Sequence, residues 1–346
     1  MSFIPMSRGA RIVPGFGDVK SKIAIVGDYT SAFDDNAMRP FQGTAGNVLE
    51  QCIHLAGLIK GECYMTNLFK QRSNSKFRYG DPRGPAPEWF HDAKGEFTAE
   101  GREWVRRLRE ELDGVEANII VACGKAPTLA LTGLTKIGDR RGYIFASNVL
   151  AETRKVIPSH SPASAIRGNF TNRHMLVSDL AKAKKFCRDR DFDRPQRQLV
   201  YEYANVEEAL AWLEYFENCG KELSVDTEVL HYELASIQFS CDPAVGVFIP
   251  IADRWTEDEE LLVWRAVQRV LSKPNPKVMQ NGIFDVHFLA TKCGLVVNGE
   301  LRDTMVGHSI MFPELPKGLG FLGSLYCGAQ EYWKDKADFK NIKGES

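Results

Sequence analysis

Apolar residues in the first half of the chain fall into short runs separated by stretches of helical spacing. Lys22–Gly27 (KIAIVG) is rich in β-branched residues and predicts a buried strand. In Thr44–Leu58 the apolar positions Val48, Leu49, Cys52, Ile53 and Leu55 recur at the helical period. Cys63–Leu68 predicts a second strand, and Asn74–Pro87, rich in Gly, Pro and charge, a loop. Thr98–Leu112 predicts an amphipathic helix with Trp104, Val105 and Leu108 on one face. Ala117–Cys123 is a third strand followed by a helix near Ala126–Leu131. Lys155–Pro158 ends a further strand, and Asn172–Cys187 is a helix. The alternation predicts an α/β domain with a mostly parallel, helix-covered sheet.

Residues 188–198 (RDRDFDRPQRQ) offer little to bury, which places a boundary between domains 1–195 and 196–346. The alternative is an exposed turn inside one domain. Beyond it the pattern changes. Leu199–Tyr203 is strand-like and Val206–Phe216 helical. Glu222–Thr227, Glu233–Ser240 and Ala244–Ile251 predict three consecutive strands. Asp258–Leu271 is strongly amphipathic, and Lys277–Gln280 is a short strand before a helix at Val286–Lys292. Consecutive strands among helices predict a mixed sheet.

A length of 346 residues suits two domains, and 44% apolar residues suits packed cores. No run of 18 apolar residues predicts a membrane helix, and Met1–Arg11 lacks the apolar core of a secretory signal, so the expected location is the cytoplasm. The eight cysteines are scattered without a CxxC pair, which argues for reduced thiols over a zinc ribbon. The net charge of −1 hides an asymmetry: residues 1–195 carry 30 Lys and Arg against 22 Asp and Glu, the remainder 14 against 23. A positive domain suits a phosphate backbone. An acidic one suits it only where carboxylates hold metal cations.

The acidic half contains Ser224-Val225-Asp226-Thr227-Glu228 on a predicted strand. Residues two apart share a face, so Asp226 and Glu228 project together, about 7 Å apart by strand rise. Such carboxylates repel unless a cation lies between them, and hard oxygen ligands favour Mg²⁺ or Mn²⁺. A lone DxE is usually a solvated strand end. Here Asn281-Gly282-Ile283-Phe284-Asp285 follows a later strand and opens a helix, with Asp303-Thr304-Met305 and Phe312–Leu319 (FPELPKGL) beyond. DxE followed by NGxFD resembles the first two motifs of the RNase H-like 3′-5′ proofreading exonuclease domain of DNA polymerase I relatives, bacteriophage family-A polymerases in particular. The resemblance implies a two-metal site with Asp226, Glu228 and Asp285 as ligands. Glu228 would also orient the attacking water, and Asn281 and Phe284 would contact single-stranded 3′ DNA ends. Asp303 is expected to cap the following helix. The family's third motif, a Tyr with an Asp four residues later, is not found from Tyr332 onward. The resemblance therefore implies part of a split or truncated phage DNA polymerase, with an incomplete exonuclease site that is weak alone and that a separate polymerase chain could complete.

The first half carries Gly27-Asp28, Arg39–Gly46 (RPFQGTAG), Thr66-Asn67 and Ser159–Gly168 (SHSPASAIRG), each at an expected C-terminal strand end, where open α/β sheets bind ligands. This order resembles the uracil-DNA glycosylase superfamily. The resemblance implies Asp28 as the carboxylate that steadies a cationic sugar, Phe41 as the stacking ring, Asn67 as the uracil reader and His160 as the stabiliser of departing uracil. Arg167 would grip phosphates of uracil-containing duplex. The opening lacks the family's Pro and Gly, and the His-Ser-Pro order displaces the histidine by one place. Lys70-Gln71-Arg72 stands where a cysteine ligand would be, so no iron–sulfur cluster is expected. The two resemblances together imply a DNA replication or repair enzyme. The alternatives are a non-catalytic DNA-binding or docking subunit and uracil recognition without cleavage.

Overall fold

The computed structural model describes residues 11–74, 86–91, 94–147, 149–166, 170–192, 198–200, 205–251 and 254–327. They form two compact units divided at Asp193/Arg194, and the described residues from Gly320 onward cluster with the first.

The first unit runs β1 (Ile23–Thr30), α1 (Ala32–Ala37), α2 (Gly43–Leu55), β2 (Cys63–Arg72), the short pair β3 (Phe90–His91) and β4 (Glu96–Phe97), α3 (Ala99–Asp113), β5 (Ile119–Cys123), α4 (Lys125–Thr132), β6 (Phe145–Ser147), β7 (Arg154–Ser159), α5 (Pro162–Ile166) and α6 (Thr171–Phe186). The main sheet has the order β2-β1-β5-β7-β6, parallel except for β6. Strand side chains alternate between two cores. Ala24, Val26, Ile120 and Ala122 pack with Trp104, Val105 and Leu108 of α3. Ile23, Ile25, Ile119 and Val121 pack on the other face with Leu49 and Ile53 of α2 and Leu176 and Leu180 of α6. A strand covered on both faces reads as an unbroken apolar run, as KIAIVG does.

β1 and β2 are longer than their apolar runs. The β1–β5 ladder spans Ile23–Val26 against Ile119–Ala122, whereas β1 continues against β2 through Gly27↔Asn67. Gly27, Asp28 and Asn67 thus lie within strands rather than at their ends, but beyond the last β5 rung.

The second unit comprises β8 (Gln198–Val200), α7 (Val206–Asn218), β9 (Leu223–Leu230), β10 (Glu233–Asp242), β11 (Val245–Pro250), α8 (Glu257–Ser272), β12 (Lys277–Met279), α9 (Gly282–Lys292), β13 (Leu301–Asp303) and α10 (Thr304–Met311). Its mixed sheet has the order β13-β12-β9-β10-β11-β8, with β9–β10–β11 antiparallel and the other pairings parallel. On β9, Leu223, Val225 and Thr227 are buried, and Ser224, Asp226 and Glu228 face out. Leu223 and Val225 join Leu213 and Phe216 of α7 and Val263 and Val267 of α8 in one core. Among the described residues no helix is long and apolar enough to cross a membrane.

A last helix, α11 (Leu319–Tyr326), packs from Gly320 onward within the first unit. Arg141 donates to Asp179 and, at 2.6 Å, to Ser324 Oγ, and its guanidinium lies 5.0 Å from the Phe321 ring centroid. Lys182 Nζ donates to the carbonyls of Gly142 (2.8 Å), Ser324 (2.5 Å) and Cys327 (3.0 Å). Tyr143 donates to Gly320 O at 2.6 Å. The sequence reading assigns this segment to the later domain. Its docking rests on charges distant in sequence, which no local periodicity reports.

Arg141 and Asp179 are each only 1% exposed, so removing one charge strands the other. Arg141→Met should cost roughly 3–5 kcal/mol in urea unfolding. The pair Arg141→Met/Asp179→Leu should recover a large part of that loss; strictly additive losses would show that the pairing is not the source.

Candidate functional sites

In the first unit, Gly27 and Asp28 lie on β1 and Asn67 on the neighbouring β2, with Phe41 in the turn before α2. Gly27 pairs with Asn67, and a Cβ added at Gly27 would collide with Asn67 Oδ1 and stand 2.8 Å from the Phe41 ring. Only glycine lets the amide and the ring approach the β1 backbone this closely. Gly124, at φ +125°, plays the same part for Asp28: a Cβ there would overlap the Asp28 carboxylate. Phe41, 9% exposed, has φ +55°, a conformation that strains a bulky residue by roughly 1–3 kcal/mol. The strain persists because its neighbours fix it. Gln42 N donates to the buried Asp34 carboxylate at 2.6 Å, and Gly46 of α2 packs directly on the Phe41 carbonyl.

Asn67 is 5% exposed, and its Nδ2 is buried without a close hydrogen bond. An orphaned buried donor costs about 1–3 kcal/mol unless a ligand satisfies it. His160 directly follows β7, whose last residue Ser159 pairs with Cys123. Burial, and then the Arg141 charge, lower the His160 imidazole to about 4, so it is neutral at pH 7. Arg167 lies outside the described residues. Lys70, buried, pairs with Glu111 at 2.5 Å, a structural ion pair on β2.

In the second unit, Asp226 and Glu228 lie on the outward face of β9, and Asp285 arrives from the first turn of α9. Asp285 is 5% exposed and accepts from the Thr227 hydroxyl, a partner that sequence reasoning passed over because it sits between the two carboxylates. Burial raises the Asp285 carboxyl, against the lowering pull of Thr227. Asp226 is exposed at its tip, yet enough protein surrounds it that burial, then the charges of Asp285 and Glu228, push its carboxyl up to about 6. Opposite it on β10, Gln238 has a buried Oε1 that makes no hydrogen bond.

Asp303 caps α10 as expected, accepting from Met305 N (2.8 Å) and Val306 N (3.2 Å), and it also receives Asn281 N (3.2 Å) and Gly282 N (2.7 Å). One carboxylate therefore ties the start of α9 to that of α10. Asn281, at φ +61°, is exposed, and Phe284 is 51% exposed and stacked on Phe288. Acceptor-only oxygens, mutual repulsion and an orphaned amide oxygen are a donor set that fits a hard divalent cation. As the side chains stand, however, the described residues include no group of three His, Cys, Asp or Glu gathered closely enough to hold one. Asp285 is turned to Thr227 instead.

Residues 14–183 match the uracil DNA glycosylase superfamily, and residues 199–342 match a 3′-5′ exonuclease family. The chain joins a uracil DNA glycosylase superfamily domain to a 3′-5′ exonuclease domain. The type-4 uracil-DNA glycosylase of Saccharolobus solfataricus is 27% identical over 179 residues, covering 50% of this chain and 74% of that protein. That of Archaeoglobus fulgidus is 28% identical over 180 residues, covering 51% and 81%. Escherichia coli RNase D is 16% identical with a TM-score of 0.30, over 41% of this chain and 36% of that one. The chain thus spans little more than a third of that ribonuclease, a likeness too slight to carry weight. Neither of these two family matches is to a polymerase domain.

The first unit also holds two residues beside the candidate site that sequence reasoning missed, Gly124 against Asp28 and Asp34 beneath Gln42. Gly124 had a visible signal, a glycine directly after the strand ANIIVAC. Asp34 had one too, the Ser31-x-x-Asp34 spacing of a capping box, which the structure forms at α1.

In the exonuclease domain, Asp226 binds its proton more tightly folded than unfolded, because its carboxyl rises from 3.8 to about 6. Between those values the native state holds the extra proton, so stability falls as pH rises. With chelator present, Asp226→Asn should be more stable than wild type by about 1 kcal/mol at pH 7, a figure already discounted for solvent screening. The advantage should grow from pH 4 to 6 and then level off in thermal melts. Equal stability at both ends of that window would show that the carboxylates do not repel.

Proposed function

We propose that the exonuclease domain hydrolyses phosphodiesters from DNA 3′ ends with Mg²⁺ or Mn²⁺, and that the glycosylase domain recognises and excises uracil. The observation that carries the first reading is that Asp226 and Glu228 share the outward face of β9 and that Asp285, from the first turn of α9, lies close enough for its charge to raise the Asp226 carboxyl. Asp226 and Glu228 would hold the metal, with Asp285 adding its charge from the Thr227 side. When bound, the cation supplies Lewis acidity and a water of lowered pKa. The chain's own residues do the rest. Asp303 fixes the α9 terminus that delivers Asp285, and Phe284 offers an exposed ring on which a terminal base stacks.

The second reading is supported by the contact of Phe41 and Asn67 over Gly27, with Asp28 against Gly124, the glycine that follows β5. In it Asn67 reads the base edge, and its orphaned Nδ2 finds an acceptor there. Phe41 stacks the base, and Asp28 steadies positive charge on the sugar and places water. His160, held neutral, donates a hydrogen bond to the departing uracil anion without first losing a proton. Arg167 and the positive balance of this half serve the phosphates.

Incubated with Mn²⁺ and 3′-labelled single-stranded DNA, the chain should shorten the label, and Asp226→Ala should slow this by at least about a hundredfold. Mn²⁺ should also raise the melting temperature of wild type and not of Asp226→Ala. Shortening that persists in chelator would sink the metal reading.

An oligonucleotide containing one dU, treated with the chain and then alkali, should break at that position, and Asn67→Ala should prevent the break. Tight binding to the dU strand without breakage would leave recognition standing and remove excision.

A further inference from the structure

We infer that α11 positions the end of β7 that carries His160, so that uracil excision depends on a helix outside residues 14–183, the span that matches the glycosylase superfamily; this rests on the excision reading above. The contacts of α11 converge on one place. Ser324 Oγ accepts from Arg141, and the Ser324 carbonyl accepts from Lys182. Arg141 also donates to Asp179 Oδ1, and Ser159 Oγ donates to the other oxygen, Oδ2, at 2.6 Å. Ser159 is the last residue of β7 and directly precedes His160. A backbone route runs beside this one. Gly142, at φ +76°, lies so close that an added Cβ would stand 3.1 Å from the Ser324 carbonyl oxygen and 2.9 Å from Asp179 Oδ1. Its N–H donates to the Pro158 carbonyl of β7 at 2.9 Å, and its own carbonyl accepts from Lys182 at 2.8 Å. The bonds continue beyond Ser159, whose carbonyl accepts from Gly124 N at 2.9 Å, and Gly124 lies against Asp28.

Hydrogen-bond capacity makes these links directional. A buried guanidinium has only donors, and each must find an acceptor. Asp179 divides its two oxygens between Arg141 and Ser159. With Ser324 in place, Arg141 has a second acceptor and leaves Oδ2 to Ser159. Without it, the orphaned N–H competes for the same carboxylate and draws it from Ser159. Ser159 is fully buried, so its hydroxyl has no water to turn to. A merely stabilising role for α11 is the alternative. Apolar side chains of similar volume stabilise as well as buried charges or better. Here two buried cations each join α11 to β7, Arg141 through Asp179 and Lys182 through Gly142. What a satisfied buried network supplies is a single geometry. Misplacing a catalytic group by about 1 Å costs on the order of a hundredfold in rate. Phe41 and Asn67 take no part in the network, so base recognition should survive its loss while the chemical step slows.

The test uses the full chain with Ser324→Leu, whose bulk does not fit a position only 3% exposed. The single-turnover rate of uracil release from a single-stranded oligonucleotide with one dU should fall at least about tenfold, with affinity for that strand unchanged. Hydrogen exchange should quicken about tenfold or more at the Gly124 and Gly142 amides and stay unchanged at Ile25 and Val121 of the β1–β5 ladder. Ser324→Thr, which keeps the hydroxyl, should recover most of the rate. An unchanged release rate in a folded Ser324→Leu overturns the inference and leaves excision standing. Equal loss of rate and affinity overturns it too, as does faster exchange spread evenly over the sheet, the mark of lost stability alone. Should Ser324→Leu fail to fold, the double variant Tyr143→Phe/Ser324→Ala decides, since it removes two bonds to α11 and adds no bulk. Slower release at unchanged affinity then supports the inference, and an unchanged rate overturns it. Absence of release by wild type removes the excision reading, and this inference with it.

Discussion

The exonuclease domain is organised around a repulsion. Asp226 and Glu228 share one face of a strand, and Asp285 approaches from another element, so that beside burial the charges of Asp285 and Glu228 make Asp226 harder to ionise. A fold keeps such an arrangement only where something stronger imposes it. The opposite side of β9 supplies that, with Leu223 and Val225 fully buried among Phe216, Val263 and Val267. Because side chains alternate along a strand, fixing the apolar set inside fixes the carboxylates outside; a slip of one residue would bury two charges. Asp303 does the corresponding work for α9 by gathering four backbone N–H groups from two helix starts. The frustration lies in the side chains, and the backbone beneath them is fully determined.

The glycosylase domain stores its cost differently, in conformation and in unfulfilled hydrogen bonding. Phe41 sits at positive φ, Asn67 has an orphaned donor, and Asp34 is a buried carboxylate. All three lie where β1 and β2 run past the end of β5, so the parallel ladder below them is untouched. The two domains thus keep their unfavourable features just beyond regular hydrogen bonding, where a rigid sheet holds them and a ligand can relieve them.

What was legible in the sequence follows from how local each cause is. The pattern in Leu223–Glu228 alternates strictly, and it reports strand, face and carboxylate pairing at once. KIAIVG and ANIIVAC report doubly covered strands for the same reason. The continuations of β1 and β2 did not show, because Asp28 after KIAIVG and Lys70 after Cys63–Leu68 break the apolar pattern while the backbone goes on pairing. The short helix α1 was invisible to periodicity, since it buries a single side chain, Asp34, and only its capping spacing betrayed it. The orientation of Asp285 toward Thr227 was hidden by the very rule that found its neighbours, because the residue between two site carboxylates is presumed to face the core and do nothing else. The docking of residues 320–327 depends on Arg141, Tyr143 and Lys182, a match between distant positions that no window contains.

The charge division between the two halves acquires a physical sense once the sites are placed. Under the proposed function, a pocket that reads a base with an amide, a ring and a neutral imidazole would need no metal, and the surplus of Lys and Arg in residues 1–195 would draw in a polyanion. A site made of carboxylates repels the same polyanion until cations reverse its sign. In a single chain the positive half can then hold DNA near an acidic half that would not hold it unaided. Tethering converts that second encounter into a local one, at an effective concentration set by the connection rather than by the bulk. On this view the acidity of the exonuclease domain is no obstacle to DNA work. Under the proposed function it would make that domain's grip conditional on metal, while the glycosylase domain would attract the backbone without one.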